Sequence, residues 1–142
     1  MTGATEAAAA ESAAIESAAT DAEATGRIAE TAMMRLHYHE AGPAASSDIG
    51  TDIGTDIGVD KLDHDLPVVL LHGGGPGASG WSNFGRNLPV FAERFRTLMP
   101  DQPGFGQSAA PPVEGSYFTF SARALASLLD CLGIEKVHLV GN

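Results

Sequence analysis

Between residues 66 and 142, segments with the hydrophobic pattern of strands alternate with segments that have the pattern of helices. Three short runs predict strands: "LPVVLLH" from Leu66, "RTLMPD" from Arg96 and "KVHLV" from Lys136. The first run is almost wholly apolar, as expected for a strand that is covered on both faces. Strands that alternate with helices require right-handed crossovers, so we predict an α/β fold with a parallel sheet.

The segment "FTFSARALASLLDCLG", which begins at Phe118, has the clearest helical pattern in the chain. Gly133 at its end is a typical helix stop. Spacing of 3.6 residues per turn puts six apolar residues on one face. These are Phe120, Ala124, Leu125, Leu128, Leu129 and Leu132.

A second segment, "WSNFGRNLPVFAERF" from Trp81, also has apolar residues at helical spacing. Pro89 in its middle predicts either a break or a late helix start, because proline removes a backbone donor and clashes with the preceding turn. The apolar residues are Phe84, Leu88, Phe91 and Phe95.

The segment "MMRLHYHEAG" from Met33 alternates apolar and polar residues with a period of two, which predicts a strand that belongs to an antiparallel hairpin before the parallel strands. We expect His37 and His39, which share the polar face, to point to solvent. A His-x-His pair can hold a metal ion, but no further group of ligands lies near it in the sequence, so we expect no metal.

The first half of the chain carries all of the net charge. Residues 1–65 contain thirteen of the eighteen acidic residues and three of the eight basic ones, whereas the remainder is balanced. We predict a disordered, acidic, alanine-rich tail at residues 1–32, a domain at residues 33–142, and a loop insert at residues 46–60 built on three Asp-Ile-Gly repeats. Such an acidic chain, with no basic stripe, is not expected to bind nucleic acid or an anionic membrane.

Two further features bear on the location of the protein. The start "MTGATEAAAAESAA" lacks the positive region of a signal peptide, and no apolar run approaches the length of a membrane span. The single Cys131, on a leucine-rich helix, is expected in the core and cannot form an internal disulfide. We therefore expect a cytoplasmic protein.

The loop after the first predicted strand of the α/β part has five glycines between Gly73 and Gly80. Glycine lets backbone N–H groups approach an anion, which suits two kinds of site: a phosphate cradle or an oxyanion hole. Gly73, Gly75 and Ala78 fit the dinucleotide pattern G-x-G-x-x-A, with Asp101 at the end of the next strand. Pro76 argues against the nucleotide because it removes a donor, and no Gly-Lys-Ser/Thr follows for a Walker loop.

Three stretches together, "LLHGGGPGASGWSNFGRN", "DQPGFGQS" and "LGIEKVHLVGN", resemble the amino-terminal part of an α/β-hydrolase. More narrowly, they resemble the meta-cleavage product hydrolases, which hydrolyse a carbon–carbon bond in vinylogous diketones formed by ring opening of catechols or degraded steroids. The resemblance covers residues 33–142 without the insert. Iminopeptidases and ester hydrolases share part of the glycine loop, but Trp81-Ser82-Asn83 and Arg86-Asn87 favour the carbon–carbon hydrolases.

The resemblance implies roles for individual residues. The Gly74 N–H matches the first donor of the oxyanion hole, with Gly73 as part of the same hole, and Gly75 matches a substrate-binding position. Asn83 and Asn142 match residues that line the substrate pocket. His72 is expected to brace the glycine loop rather than act as the catalytic base, and Asp101 is expected to hold a turn.

The resemblance also implies that the serine nucleophile follows the position of Asn142, and that the acid and the histidine of the triad come later still. We therefore expect a fragment of a hydrolase, inactive as given, with no cofactor; a non-catalytic fragment is the alternative. A small ketone or ester is the expected substrate of a complete protein, and full-length homologues are expected to form homo-oligomers.

Overall fold

The computed structural model describes residues 21–22, 24–43 and 66–142, and these residues form one mixed five-stranded sheet with helices on both faces. The strands are β1 (Gly26–Glu30), β2 (Arg35–Ala41), β3 (Val68–Leu71), β4 (Thr97–Pro100) and β5 (His138–Gly141). Their order is β1-β2-β4-β3-β5. The β1/β2 and β2/β4 pairs are antiparallel, whereas β3 is parallel to both β4 and β5. The predicted α/β fold with a hairpin before parallel strands is confirmed.

Within residues 66–142 the helices are α1 (Gly80–Phe84), α2 (Leu88–Ala92) and α3 (Tyr117–Cys131). For Pro89 the sequence predicts a break or a late helix start, and the structure shows both: α1 and α2 are separate, and Pro89 lies in the first turn of α2. A reciprocal capping box between Ser79 and Ser82 starts α1. After α3 the chain reaches Gly133 with φ +66°, the left-handed conformation of a helix stop.

Two hydrophobic clusters lie on opposite faces of the sheet, because successive residues of β3 point to opposite sides. Val69 belongs to the cluster that packs against α3, while Val68 and Leu70 belong to the cluster that packs against α1 and α2. The predicted face of α3 packs against the first cluster, and the predicted aromatic residues of the segment from Trp81 pack in the second. β3 is thus covered on both faces, as its sequence predicts.

The prediction that His37 and His39 point to solvent is wrong. Both side chains are buried, each residue with 4% of its surface exposed. The physical reason is that β2 is an inner strand, and Trp81 of α1 packs against the face that carries the histidines. The expected absence of a metal stays a prediction; within the described part of the chain no group of three or more His, Cys, Asp or Glu side chains is arranged so that it could hold a metal ion.

Two other predictions need correction. β1 lies inside residues 1–32, so the disordered tail is wrong for residues 26–30, which are ordered by pairing along the whole length of β1 with β2. Cys131 is exposed rather than in the core, since it ends α3 beside the Glu30 carbonyl. Residues 1–20 and the insert 46–60 lie outside the described residues. Among the described helices, none combines the length and apolar character needed to span a membrane.

Candidate active site

The candidate site lies where three parallel strands end side by side. β4, β3 and β5 are neighbours with the same direction, so the loops that follow them meet at one edge of the sheet. These loops begin at His72, Asp101 and Asn142. The topology therefore brings the glycine loop, the turn after β4 and the end of β5 into one region.

His72 fixes the base of the glycine loop, as predicted. The residue is 1% exposed. Its Nδ1 donates to the carbonyl oxygen of Gly73 at 2.8 Å, and its Nε2 accepts the backbone N–H of Gln102 at 2.9 Å. Because both ring nitrogens are engaged inside the protein, His72 serves as a brace between two loops.

Gln102 makes a second hydrogen bond to His72, through its side chain, and the sequence did not predict this role for Gln102. Its side-chain amide donates to the His72 carbonyl oxygen, and its Oε1 accepts the hydroxyl of Ser121 at 2.7 Å. Ser121 lies in α3, so this chain of hydrogen bonds connects the glycine loop, the turn after β4 and the long helix. No local sequence signal marks Gln102, because its partners are distant in sequence.

Asp101 has a structural role, in agreement with the prediction that it holds a turn. Its carboxylate is buried; Oδ1 accepts the Gly80 N–H at 2.7 Å, and Oδ2 accepts from His37 Nδ1 at 2.8 Å and from the Gln107 N–H at 2.9 Å. A Cβ at Gly106 would lie 2.0 Å from Oδ2, so the turn wraps tightly around the carboxylate. Asp101 therefore has no free oxygen to offer a ribose.

His39 lies beside this network on β2. Its Nδ1 shares a hydrogen bond of 3.1 Å with the Thr25 hydroxyl, and its ring lies 4.9 Å from that of Trp81 and 4.8 Å from that of His37. Burial lowers the pKa of His39 below its ordinary value, and the neighbouring His37 lowers it further. Folding therefore favours the neutral imidazole of His39 over its protonated form.

The structure brings three of the five sequence-predicted site residues together. Asn142 Nδ2 donates to Asn83 Oδ1 at 3.2 Å, and a Cβ at Gly73 would lie 3.1 Å from Asn142 Oδ1. Gly74 and Gly75 lie farther out on the loop, exposed, with no atom within 4 Å of the Cβ that either would carry. Within the described residues the Gly74 N–H has no acceptor, which leaves it free to donate to a ligand.

The arrangement offers hydrogen-bond donors to a small polar group at the edge of the sheet where β4, β3 and β5 end. Backbone N–H groups on an exposed, glycine-rich loop can meet a carbonyl oxygen that becomes negative during reaction. The Asn142 amide lies against Gly73 at the base of this loop and donates to Asn83. The same residues do not form a phosphate cradle, since Asp101 is occupied and Pro76 interrupts the donors.

Comparison with known proteins gives consistent similarities. The family described as "alpha/beta hydrolase fold" matches residues 67–142. A 2-hydroxy-6-oxo-6-phenylhexa-2,4-dienoate hydrolase from Burkholderia cepacia is 50% identical over 76 residues, which are 53% of this chain and 27% of the relative. A 2-hydroxy-6-oxononadienedioate/2-hydroxy-6-oxononatrienedioate hydrolase from Pseudomonas putida is 39% identical over 110 residues, which are 77% of this chain and 32% of the relative.

A similar solved structure is the meta-cleavage product hydrolase of Pseudomonas fluorescens IP01, in a mutant complexed with acetates. It superposes with a TM-score of 0.64 at 27% identity, over 83% of this chain and 36% of that chain. The chain thus spans about a third of that structure and between a quarter and a third of the two curated relatives, and it corresponds to their N-terminal part.

Proposed function

Since the chain belongs to the α/β-hydrolase family, we propose that it forms the oxyanion-hole side of a serine-dependent hydrolase that cleaves a carbon–carbon bond in ring-opened aromatic ketones. The observation that carries the proposal is the glycine loop, with a free Gly74 N–H, inside the segment that is 50% identical to a dienoate hydrolase. The whole reaction is proposed for a protein in which a serine, an acid and a histidine complete the site.

The proposed role of the loop is electrostatic. Attack on a ketone carbonyl moves negative charge onto its oxygen, and preorganised N–H donors stabilise that charge without having to reorient during the reaction. Gly74 supplies one donor, while Gly73 is held in place by the bond from His72 to its carbonyl. Asn83 and Asn142 lie at the side of the loop, where they can hold a polar group of the substrate.

The proposed substrate is a small ketone that carries a carboxylate, by analogy with the dienoates and dienedioates named for the relatives. A cytoplasmic location and assembly of the complete protein into homo-oligomers are part of the same proposal. No cofactor is needed for nucleophilic hydrolysis by a serine. The 142-residue chain by itself is expected to show no turnover.

A chimera tests the proposal. Residues 67–142 replace the matching 76 residues of the Burkholderia cepacia hydrolase. We expect the chimera to hydrolyse 2-hydroxy-6-oxo-6-phenylhexa-2,4-dienoate, followed by loss of substrate absorbance. Gly74→Pro in the chimera removes the donor and should lower kcat by about 10²–10³-fold, the usual cost of one oxyanion donor.

Gly74→Ala is the matched control, because it keeps the N–H and its Cβ meets no atom within 4 Å. Circular dichroism checks that each chimera folds. A folded chimera without turnover, or a Gly74→Pro chimera as active as its Gly74→Ala partner, would contradict the proposed function.

A further inference from the structure

A cavity of about 880 Å³ lies beside Asn83, bounded by α1, the start of α2 and the residues before β1. We call it the Arg86 cavity. Its volume is in the range of sites that hold small organic molecules. Its lining residues are Asp21, Ala24, Thr25, Ala41, Trp81, Ser82, Asn83, Gly85, Arg86, Asn87, Leu88 and Pro89.

Arg86 is the basic side chain among these lining residues, and neither the fold nor the proposed oxyanion hole uses it. Within the described part of the chain, Arg86 makes no ion pair and no side-chain hydrogen bond, unlike Arg96, which pairs with Glu40 at 2.7 Å. Asp21 is the acidic residue in the lining, and it does not reach Arg86 within ion-pair distance. A guanidinium that faces a cavity without a partner is suited to bind a carboxylate, since its planar donors match the two oxygens.

The rest of the lining supplies amide, hydroxyl and apolar groups. Asn87 caps no backbone N–H with its side chain, so its amide can also face a ligand. Trp81, Leu88 and Pro89 supply apolar surface. We propose that the Arg86 cavity binds an organic acid with an apolar body, and that Arg86 is the residue that binds its carboxylate.

Asn83 connects the cavity to the candidate oxyanion hole. It lines the cavity and accepts a hydrogen bond from Asn142, whose Oδ1 lies against Gly73. An elongated ligand with its carboxylate at Arg86 can therefore extend past Asn83 towards the glycine loop. As the substrate subsite of the hydrolase, this assignment rests on the proposed function; as an organic-acid site, it stands on the cavity and Arg86.

Trp81 makes the cavity directly observable, because it is the single tryptophan of the chain. Benzoate is titrated into the 142-residue protein while Trp81 fluorescence is followed, and benzamide serves as the uncharged ligand of the same shape. We expect saturable binding of benzoate, and binding of benzamide at least about tenfold weaker, because a charge-assisted hydrogen bond is lost.

Arg86→Gln should weaken benzoate binding about tenfold, and Arg86→Lys should weaken it less because the charge remains. Asp21→Asn should tighten it by a few fold, since a like charge leaves the cavity wall. Arg94→Gln is the matched control: it makes the same change of charge at an exposed arginine that does not line the cavity. Arg86 is exposed, so its replacement should leave the circular dichroism spectrum unchanged.

Trp81 also lines a neighbouring cavity of about 500 Å³ whose lining includes Arg27 and Arg35. Arg27→Gln and Arg35→Gln together separate the two cavities. Benzoate affinity that falls in either of these variants and not in Arg86→Gln would place the ligand in the neighbouring cavity and overturn the inference. Undetectable benzoate binding, or equal binding of benzoate and benzamide, would overturn it as well.

The chimera distinguishes this inference from the proposed function. Arg86→Gln in an active chimera should raise KM for the dienoate with little change in kcat, because the interaction is made in both the ground state and the transition state. If Arg86→Gln leaves KM unchanged in an active chimera, the substrate role of Arg86 is contradicted, whereas the proposed function is not. An inactive chimera, with Arg86-dependent benzoate binding in the chain, sinks the proposed function and leaves the organic-acid site standing.

Discussion

Individual glycines of this protein have different physical roles, which their spacing in the sequence does not separate. Gly106 has φ +50°, and a Cβ there would lie 2.0 Å from the Asp101 carboxylate. Gly80 is similarly crowded, with the Met99 carbonyl oxygen 2.7 Å from the site of its Cβ. Gly74 meets nothing within 4 Å. Steric need thus explains Gly80 and Gly106, whereas Gly74 is free to serve a ligand.

Replacement of Gly106 by alanine should reduce the free energy of unfolding by about 2–4 kcal/mol, because the methyl group overpacks the turn and φ is left-handed. Urea denaturation followed by Trp81 fluorescence measures the loss. Gly74→Ala serves as the control and should stay within about 0.5 kcal/mol of the wild type. Equal midpoints for the two variants would refute the steric account of Gly106.

At the scale of elements, β2 shows why a two-residue period is not enough to tell solvent from core. The alternation predicts a strand, and the strand is present. Its polar face is nevertheless buried, because α1 brings Trp81 against His39 and the turn after β4 brings Asp101 to His37. The period reports which residues share a face, while the element that covers this face comes from a distant part of the chain.

The pH dependence of stability should report the burial of His39. Its folded-state pKa is lowered from 6.5, so between these values the unfolded chain binds more protons than the folded one. Stability from this residue is therefore complete above pH 6.5 and decreases as the pH falls towards the lowered pKa, by at most about 1.4 kcal/mol per pH unit. His39→Asn should flatten this decrease in urea denaturation as the pH falls below 6.5. An unchanged slope would show that another group causes it.

The sequence predicted those elements whose signal is local. β3, β4, β5 and α3 each follow from a run or a period within a few residues, and so does the break at Pro89. β1 was missed because Gly26–Glu30 has no clear pattern and is ordered by pairing with β2. The Gln102–Ser121 bond was missed for the same reason, since it depends on how α3 packs over the turn after β4.

For the molecule as a whole, one sheet separates two hydrophobic clusters and contributes residues to both. Val69 faces the α3 side, and Leu70 faces the side of α1 and α2. Trp81 packs in the second cluster, whereas α3 holds most of the helical residues described. A substitution that destabilises one cluster should therefore also destabilise the other, because both clusters pack on the same strands.

Leu128→Ala tests this coupling. Leu128 is 1% exposed in the α3 cluster, and its truncation should cost about 2–5 kcal/mol of unfolding free energy. We expect equal downward shifts of the urea midpoint in far-ultraviolet circular dichroism and in Trp81 fluorescence. Phe118→Ala, on the same helix and 84% exposed, is the control with little effect. A dichroism midpoint that moves while the Trp81 midpoint stays would show two independent units.

The two hydrogen bonds from Gln102 to His72 also limit how the glycine loop can be redesigned. His72, Gln102 and Ser121 come from three different elements but share consecutive hydrogen bonds. A glycine loop transplanted alone into another scaffold would leave its histidine without the donors that orient it. The smallest transferable unit therefore reaches from β3 to α3, so an engineer who changes the loop has to treat all three side chains as one part.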